Sequence, residues 1–461
     1  MIVTCVLAML PLAAFGDAPE PTQVPTEVQQ AAETRMEIDE LNAQAIDDAP
    51  KDVGETCRQT LEVDGIGDSC VTRDGLLRVE QADGRSHTIH GLDAPPVGVA
   101  TYAPGSQAAV DGAGIGDIAC VTAPQPRYVL VYAHPANVAS RYASIAPKLQ
   151  SELYKVSAFI DSESQSITPG ASRTVPVACD AGGPVVLNLA LDGLSAGTAG
   201  FGDIVDGLRA KGLEFNGDGS NSERYIVYYD SPSPTRAAGT GHVFASDASA
   251  GATNSNNTGG LYAVEYRFDG GGSVPHWEVM IHEVLHTMGA VVSTAPNTSG
   301  LVGTVGAGHC IDGLDIMCYN DGGSRGGSYT ETTCPTKVLD CNRDDYFHPS
   351  PPAGSFLATH WNVAATYNRF LISGGATRAP RALAPTASIS NLRQSGASNA
   401  AVGLTWNASG GTSYVVGIRQ PNGSWKDVLT TSERTATIAG LSARRSYEIG
   451  VGVSDSTDRV S

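Results

Sequence analysis

The chain is short of positive charge and of aromatic side chains. Lys and Arg number 29 against 48 Asp and Glu, the formal net charge is -19, and aromatic residues make up 6% of the sequence. The basic residues are scattered, so no run of them could line a surface that binds phosphate groups. This balance argues against nucleic acid as a partner.

Long apolar runs are also scarce. One uncharged apolar run stands at the start of the chain, MIVTCVLAMLPLAAFG, over residues 1–16. It is shorter than the ~20 residues that a membrane-spanning helix needs and it ends in small residues, which favours a cleaved secretory signal. The Lys or Arg that usually begins such a signal is missing. We predict that residues 1–16 are a signal peptide and that the mature protein is secreted, extracellular and without a membrane span.

No Cys-X-X-Cys pair occurs among the nine cysteines. Without Cys5 of the predicted signal, the remaining set is even in number, which is typical of disulfide bonds in an exported protein. Its members are Cys57, Cys70, Cys120, Cys179, Cys310, Cys318, Cys334 and Cys341. We expect local disulfides among the last four, which lie close together in the sequence.

The composition of the chain changes along its length. Residues 17–122 begin with a segment rich in Pro, Glu, Gln and Asp that could not fold alone, and we predict a prosegment or accessory region. From Arg127 a β-branched strand and a long amphipathic helix open a domain over 123–375, which includes a last helix over 356–371. The mixed order of helices and strands predicts an α+β fold.

Residues 376–461 contain short segments with apolar alternation, among them VGLTW, SYVVGIR and SYEIGVGV. This pattern is typical of half-buried strands. With Trp406 on an early strand and Tyr447 near the penultimate one, this part resembles a fibronectin type III domain, a small all-β sandwich. The resemblance implies a module that binds a surface, a polymer or a protein.

The stretch IHEVLHTMG, from Ile281 to Gly289, carries the most specific chemical signal in the chain. His282 and His286 lie one helical turn apart on the same face, so both imidazoles can reach one metal ion. Glu283 stays beside the open coordination position, where it can act on a water molecule. The pattern therefore predicts one catalytic Zn²⁺, with Glu283 as general base.

Further residues extend this motif. Gly289 follows His286 by three positions, and Met317 and Tyr319 stand in the later sequence DIMCY. With them the chain resembles the metzincin clan of zinc peptidases, in which a methionine turn lies beneath the metal. The resemblance implies a twisted mixed sheet with long helices, His282 and His286 as ligands and Met317 as the floor of the site. It also implies that Tyr319 touches the metal or steadies the oxyanion, although a packed aromatic is an equal alternative.

The third histidine of that clan is missing, because Val292 stands where it is expected. We predict His309 in its place, since Gly306-Ala307-Gly308 gives a pliable approach and the methionine turn follows eight residues later. The alternatives are Asp315, Asp312 and His242, because carboxylates also serve as third zinc ligands.

These patterns predict a secreted zinc endopeptidase that cleaves protein or peptide substrates by metal-activated water. The segment LYAVEYR, at 261–267, is expected to offer a sheet edge to an extended peptide. One alternative is an exported, non-catalytic binding protein on a degenerate metzincin scaffold. Another is a different zinc hydrolase that takes its ligand from a later glutamate, for which Glu331 is the nearby candidate.

Two further hypotheses concern other ligands. The acidic cluster Asp344-Asp345-Tyr346 could bind Ca²⁺, but a solvated turn or a partner for Arg343 is the better interpretation of it. A thiol of Cys57, Cys70 or Cys120 could cap the zinc before activation, although the even cysteine count favours disulfides.

Overall fold

The computed structural model describes residues 2–6, 61–94, 118–373 and 388–454. Internal gaps lie at 64, 73–75, 82–84, 122, 181–182, 214–221, 268–274, 300–307, 319–333, 335–336, 398–400, 410–412, 420–424, 432 and 440–445. The described residues at 61–94 and 118–373 belong to one unit, and those at 2–6 and 388–454 belong to a second. In the part of the chain that the structure describes, no helix combines the length and apolarity needed to span a membrane.

The first unit contains both strands and helices, so it is mixed α and β. Its strands are β2 (Leu61–Val63), β3 (Gly67–Val71), β4 (Leu77–Glu80), β5 (Ser86–Ile89), β6 (Ala119–Val121), β7 (Arg127–Pro135), β8 (Arg173–Thr174), β9 (Pro176–Asp180), β10 (Gly183–Pro184), β11 (Val186–Leu191), β12 (Glu223–Tyr229), β13 (Gly239–Gly241), β14 (Tyr262–Tyr266) and β15 (Ile372–Ser373). Its α-helices are α1 (Tyr142–Ile167), α2 (Phe201–Ala210), α3 (Trp277–Thr287) and α4 (Phe356–Thr359).

The central sheet has the order β10-β9-β7-β12-β14-β13, with β11 paired to β7 and β6 to β9. Strands β7, β12 and β14 run parallel, and nearly all their side chains are buried, which explains their continuous apolar and aromatic sequences. Strand β13 pairs antiparallel with β14 and ends the sheet. The expectation that LYAVEYR forms the edge is therefore wrong, because β13 covers it.

Helix α3 packs on α1 beneath this sheet. In α1 the apolar residues recur at helical spacing, with Leu149, Leu153, Val156 and Ile160 all fully buried. The Phe159 and Trp277 rings meet across the two helices with centroids 5.2 Å apart. The packing fixes α3 along nearly its whole length, since almost every one of its side chains is buried.

Strands β2 to β5 form a separate antiparallel sheet in the order of the sequence. Its apolar side chains belong to the same hydrophobic core as those of β7, β12 and α2, with Leu77, Ile89 and Leu92 fully buried. The backbone of its first turn also reaches α2, because Gly65 O accepts a hydrogen bond from Phe201 N at 3.0 Å. This sheet is thus part of the first unit's core.

The second unit is built from strands alone among its described residues. They are β1 (Ile2–Val6), β16 (Ser388–Ala397), β17 (Ala401–Ser409), β18 (Ser413–Arg419), β19 (Trp425–Thr431), β20 (Thr435–Ala439) and β21 (Ser446–Ser454), in sheets β16-β17-β20 and β1-β21-β18-β19. Trp406 and Tyr414 are buried in its core and Tyr447 packs against them. Strand β1 comes from within the predicted signal and pairs with β21.

The predicted last helix over 356–371 is wrong in its length. Helix α4 ends at Thr359, and turns follow. The Asn362 side chain accepts a hydrogen bond from Ala364 N, and that of Asn368 accepts one from Phe370 N, each at 3.0 Å. Asparagine side chains that bond nearby backbone N–H groups compete with a helix, although the apolar spacing suits one.

Three disulfides join Cys120 to Cys179, Cys310 to Cys318, and Cys334 to Cys341. Cys70 is disulfide-bonded as well. The last two pairs are the local disulfides expected after the histidine motif. A thiol cap from Cys70 or Cys120 is therefore wrong, and Cys57 lies outside the described residues.

Candidate metal site

The motif helix is held at both ends by buried groups. At its start Glu265 accepts a hydrogen bond from His276 N at 2.6 Å and Glu152 accepts one from Trp277 N at 2.9 Å. These carboxylates satisfy N–H groups that a helix leaves without partners. At its end Gly289 has φ 75° and donates its N–H to His286 O at 2.9 Å. His276 caps the helix through its ring, which accepts a hydrogen bond from Glu278 N.

The structure brings His282, His286 and His309 together through their Nε2 atoms. His282 Nε2 lies 3.0 Å from that of His286 and 3.2 Å from that of His309. Four donors around zinc at 2.0–2.1 Å would be separated by about 3.3 Å, the edge of a tetrahedron of that size. Both distances are close to this value, and the ligand atoms of His286 and His309 lie within 4.8 Å of one another, so the three imidazoles are placed to share one metal ion.

The loop from Gly308 to Cys318 brings His309 to the helix. Gly308 N donates to Val291 O at 2.8 Å, and its φ of 108° places it in a region that favours glycine. The disulfide between Cys310 and Cys318 closes the loop, and His309 O accepts from Ser299 N at 2.9 Å. Contacts from Val291 and Ser299 therefore hold Gly308 and His309 at the site.

The turn that contains Met317 adjoins the first histidine. His282 Nδ1 lies 2.7 Å from Ile316 O, so a proton on Nδ1 leaves the Nε2 lone pair free for metal. Met317 is fully buried, and its carbonyl accepts a hydrogen bond from Cys310 N. Tyr319 lies outside the described residues.

The alternative third ligands lie elsewhere. His242 Nδ1 accepts from Tyr262 N at 3.0 Å, and its ring packs beside Phe201. Asp315 accepts hydrogen bonds from Met317 N and Tyr346 Oη, and Asp312 accepts one from Asn342 Nδ2. Among the described residues, none of these three has its ligand atoms grouped closely enough with those of the motif histidines to bind one metal ion. Glu331 lies outside the described residues.

Glu283 is buried beside the histidines and against strand β13. A Cβ added to Gly239 would lie 1.9 Å from Glu283 Oε1, and one added to Gly241 would lie 3.0 Å from Oε2. The two glycines thus make room for the carboxylate. Neither of its oxygens accepts a hydrogen bond from a backbone N–H or a basic side chain in the described part of the chain. A buried carboxylate of this kind is costly unless a cation or water partners it, which fits a metal site.

Two residues at the site were not predicted from the sequence. Asp93 Oδ1 lies 3.3 Å from His282 Nε2 and 3.1 Å from His309 Nε2, and its Oδ2 lies 3.8 Å from His286 Nε2. His90 Nε2 lies 3.2 Å from Asp93 Oδ2, and its ring stacks on that of His286 with centroids 3.7 Å apart. The signal that could have found them is the stretch HGLD, in which a histidine and an aspartate, both metal-binding residue types, stand three positions apart. It lies within the region predicted to be a prosegment or accessory segment.

Burial and neighbouring charges set the ionisation of the site. Burial lowers the pKa of His286 well below its usual range, and His90 and His282 lower it further. Burial alone would raise the pKa of Asp93, but His90 and His282 bring it well below its usual range. Burial, with the charge of Asp93, raises the pKa of Glu283 well above its usual range. His286 is therefore neutral, the form that binds metal, and Asp93 is an anion.

Two other groups of acidic or sulfur ligands are less suited to a metal. Cys310, Cys318 and Asp312 lie close together, but the two sulfur atoms form a disulfide bond and therefore cannot bind a metal ion as thiolates. The oxygens of Asp312, Asp344 and Asp345 also lie close together. Asp345 already accepts hydrogen bonds from Asn297 N and Nδ2, so this cluster is a hydrogen-bonded acidic turn.

Comparisons with known proteins identify no family. No family model and no curated protein matches the chain. Two crystal structures of wild-type OgpA from Akkermansia muciniphila have TM-scores of 0.26 with 13% and 14% identity, and cover 76% and 75% of this chain and 88% of that one. A structure of catalytic inactive OgpA in complex with an O-glycopeptide, glycodrosocin, has a TM-score of 0.25 with 11% identity, and covers 75% and 88%. Similarity this low carries no argument, so the functional assignment rests on the site.

Proposed function

We propose that the protein is a secreted zinc-dependent endopeptidase with His282, His286 and His309 as the metal ligands. One observation carries the proposal: the Nε2 atoms of His286 and His309 each lie at tetrahedral spacing from that of His282, beside a buried glutamate that accepts no hydrogen bond from a described backbone N–H or basic side chain. Imidazole donors suit several first-row metals, and a tetrahedral set with an adjacent carboxylate favours zinc for hydrolysis.

The residues of the site divide the chemistry between them. A zinc ion bound there supplies Lewis-acid chemistry, which lowers the pKa of water and polarises a carbonyl. Glu283 takes the proton of the attacking water and passes it to the leaving amine. Ile316 O fixes the tautomer of His282, so that its Nε2 faces the metal.

Strand β13 is the surface on which we place the substrate. It ends the central sheet and runs past Glu283, with Gly239 and Gly241 at the closest approach. An extended peptide can add to such an edge through backbone hydrogen bonds, which need no chain terminus. This favours cleavage inside a chain over trimming of its ends.

A non-catalytic binding protein on a degenerate metzincin scaffold is the second candidate. The position expected for the third histidine, Val292, is a buried apolar residue, which is the departure from that clan that supports this candidate. Against it, the backbone of β13 leaves room for the Glu283 carboxylate, which a binding scaffold does not need.

The experiment measures zinc per chain and casein cleavage for the wild type, Glu283→Gln and His309→Ala. Because Asp93 lies against the histidines, each protein is also made with Asp93→Ala. We expect Glu283→Gln to keep its zinc and lose activity by roughly 10²- to 10⁴-fold, the usual contribution of a general base. His309→Ala should lose zinc, whereas His348→Ala, a half-buried histidine outside the site, should keep it.

The outcomes separate the candidates. Full zinc in His309→Ala would exclude that residue as the third ligand. If the protein binds zinc but cleaves nothing, either with Asp93 present or with Asp93→Ala, the binding protein is favoured. Cleavage of small amides but not of casein would favour a different zinc hydrolase.

The second unit extends the proposal to a binding module. Its two sheets, with Trp406 in the core and Tyr447 packed against it, support a fibronectin type III-like sandwich. We place a surface, polymer or protein ligand on this unit.

A further inference from the structure

Residues 88–93 lie along the free side of strand β13. Asp93 N donates to Gly239 O at 3.0 Å, and Ala238 N donates to Asp93 O at 2.8 Å. At the other end Val243 N donates to Thr88 O at 2.9 Å, and Ile89 is bridged antiparallel to His242. The segment thus occupies the edge on which the proposed function places an extended substrate.

The same segment delivers a carboxylate to the three histidines. The distances from Asp93 Oδ1 to His282 and His309 Nε2, 3.3 Å and 3.1 Å, match the spacing of the histidines with one another. His90, stacked on His286, has its Nε2 atom 3.2 Å from the second oxygen of Asp93. The carboxylate therefore stands where a fourth tetrahedral donor belongs.

The contacts of Asp93 reach the other side of the site as well. Asp93, His282 and Glu283 have ligand atoms within 4.8 Å of one another, so Asp93 lies beside the proposed base as well as beside the histidines. The position open to water in a catalytic zinc site is the fourth one. A carboxylate there leaves Glu283 with no water to deprotonate.

We propose that Asp93 is an internal fourth ligand of the metal and that residues 88–93 keep the chain latent by covering both the water position and the substrate edge. This rests on the proposed function, because it assigns a ligand and a regulation to that same site. The occupant is part of the chain itself, so latency does not depend on a separate inhibitor.

Binding of acetohydroxamate to the zinc-loaded protein tests the ligand directly. Glu283→Gln is the background, which prevents self-digestion, and calorimetry compares Asp93 with Asp93→Ala and Asp93→Asn. Removing the carboxylate should tighten binding by roughly 10- to 100-fold, the range that a contact with a charged group supplies. Asp68→Asn, an exposed residue of the same small sheet, is the matched control and should change nothing.

A second readout does not depend on the probe. In the cobalt-substituted protein, Asp93→Ala should shift the visible absorption bands as water replaces the carboxylate, while Asp68→Asn leaves them in place. Hydrogen exchange at 88–93 should quicken in Asp93→Ala and also on removal of metal from the wild type. Asp93→Asn keeps the shape of the side chain, so it gives the result if the alanine variant fails to fold.

The outcomes distinguish the two proposals. Zinc in every variant, with equal hydroxamate affinity and unchanged cobalt bands, would overturn the assignment of Asp93 and leave the endopeptidase standing. No zinc in any variant would overturn both.

Discussion

At the scale of single residues, the site depends on glycines as much as on its histidines. Gly239 lies in β13 where no side chain fits, because the Glu283 carboxylate lies against its backbone. Gly289 turns the chain at the end of α3, and a Cβ there would lie 2.3 Å from Asn256 Cγ. Neither requirement comes from the metal, and the first one makes room for Glu283 beside the histidines.

Gly239→Ala should displace the Glu283 carboxylate, because its Cβ would lie 1.9 Å from Oε1. The three atoms nearest to this methyl group all belong to Glu283, so we expect zinc content to be kept. Casein cleavage in the Asp93→Ala background should fall by roughly 10²-fold or more, as for loss of a general base. Gly251→Ala is the control, since a Cβ there meets nothing within 4 Å. Unchanged activity in Gly239→Ala would mean that Glu283 is not the base.

At the scale of elements, the loop from Gly308 to Cys318 decides whether three ligands meet. It carries His309, and through Ile316 O it also orients His282. The disulfide between Cys310 and Cys318 closes it over a separation of 8 residues. Closing a loop of this length lowers the conformational entropy of the unfolded chain. By this effect the disulfide stabilises the folded protein by about 2 to 3 kcal/mol.

Replacing Cys310 and Cys318 together by alanine should lower the free energy of unfolding by about 2 to 3 kcal/mol. It should also weaken zinc binding, because His309 loses the constraint beside it. The pair Cys334 and Cys341, with a separation of 7, gives a matched double variant. That control should lose similar stability but keep its zinc affinity, as measured by chemical denaturation and chelator competition. Equal zinc affinity in both would show that the first disulfide does not position the ligand.

Helices and strands with a clear period could be predicted from the sequence. The segment at 142–160 has apolar residues at helical spacing, and it lies within α1. The turn after α4 could not be predicted, because Asn362 and Asn368 act through hydrogen bonds that apolar spacing does not show. Strand β13 was missed because GTG has none of the β-branched pattern of a strand, and only its approach to Glu283 explains it.

At the scale of the whole molecule, buried carboxyl groups make stability depend on pH. Burial and neighbouring carboxylates raise the pKa of Asp312 to about 8, and burial raises that of Asp345 to about 7 and that of Asp315 to about 6. Each value lies above that of the unfolded chain, so folding favours the protonated form. The resulting stability is present at low pH and is lost as pH rises through the folded values.

Asp312→Asn should therefore raise the melting temperature relative to the wild type at a pH above the folded value of about 8, and have little effect below the ordinary value of 3.8. Scanning calorimetry across this range, with Asp68→Asn as the exposed control, measures the difference. A stabilisation that does not grow with pH would mean that Asp312 is ionised without cost in the folded protein.

The site itself could be predicted only in part, for reasons of distance along the chain. His282, Glu283 and His286 share one helix, so their spacing predicts their proximity. Asp93 and His282 are 189 residues apart, and the sequence around neither residue predicts their contact. The fold brings them together by placing residues 88–93 on the free edge of β13.

The core that residues 61–94 share with the rest of the first unit has a practical consequence. Leu77, Ile89 and Leu92 are buried against side chains from β7, β12 and α2. A recombinant fragment that begins at residue 123 would expose the apolar side chains of β7, β12 and α2 to solvent, and we expect it to aggregate. Cleavage between 95 and 117 would instead leave two chains held together by the same contacts. Cutting of the chain and release of residues 61–94 would then be separate events with separate rates.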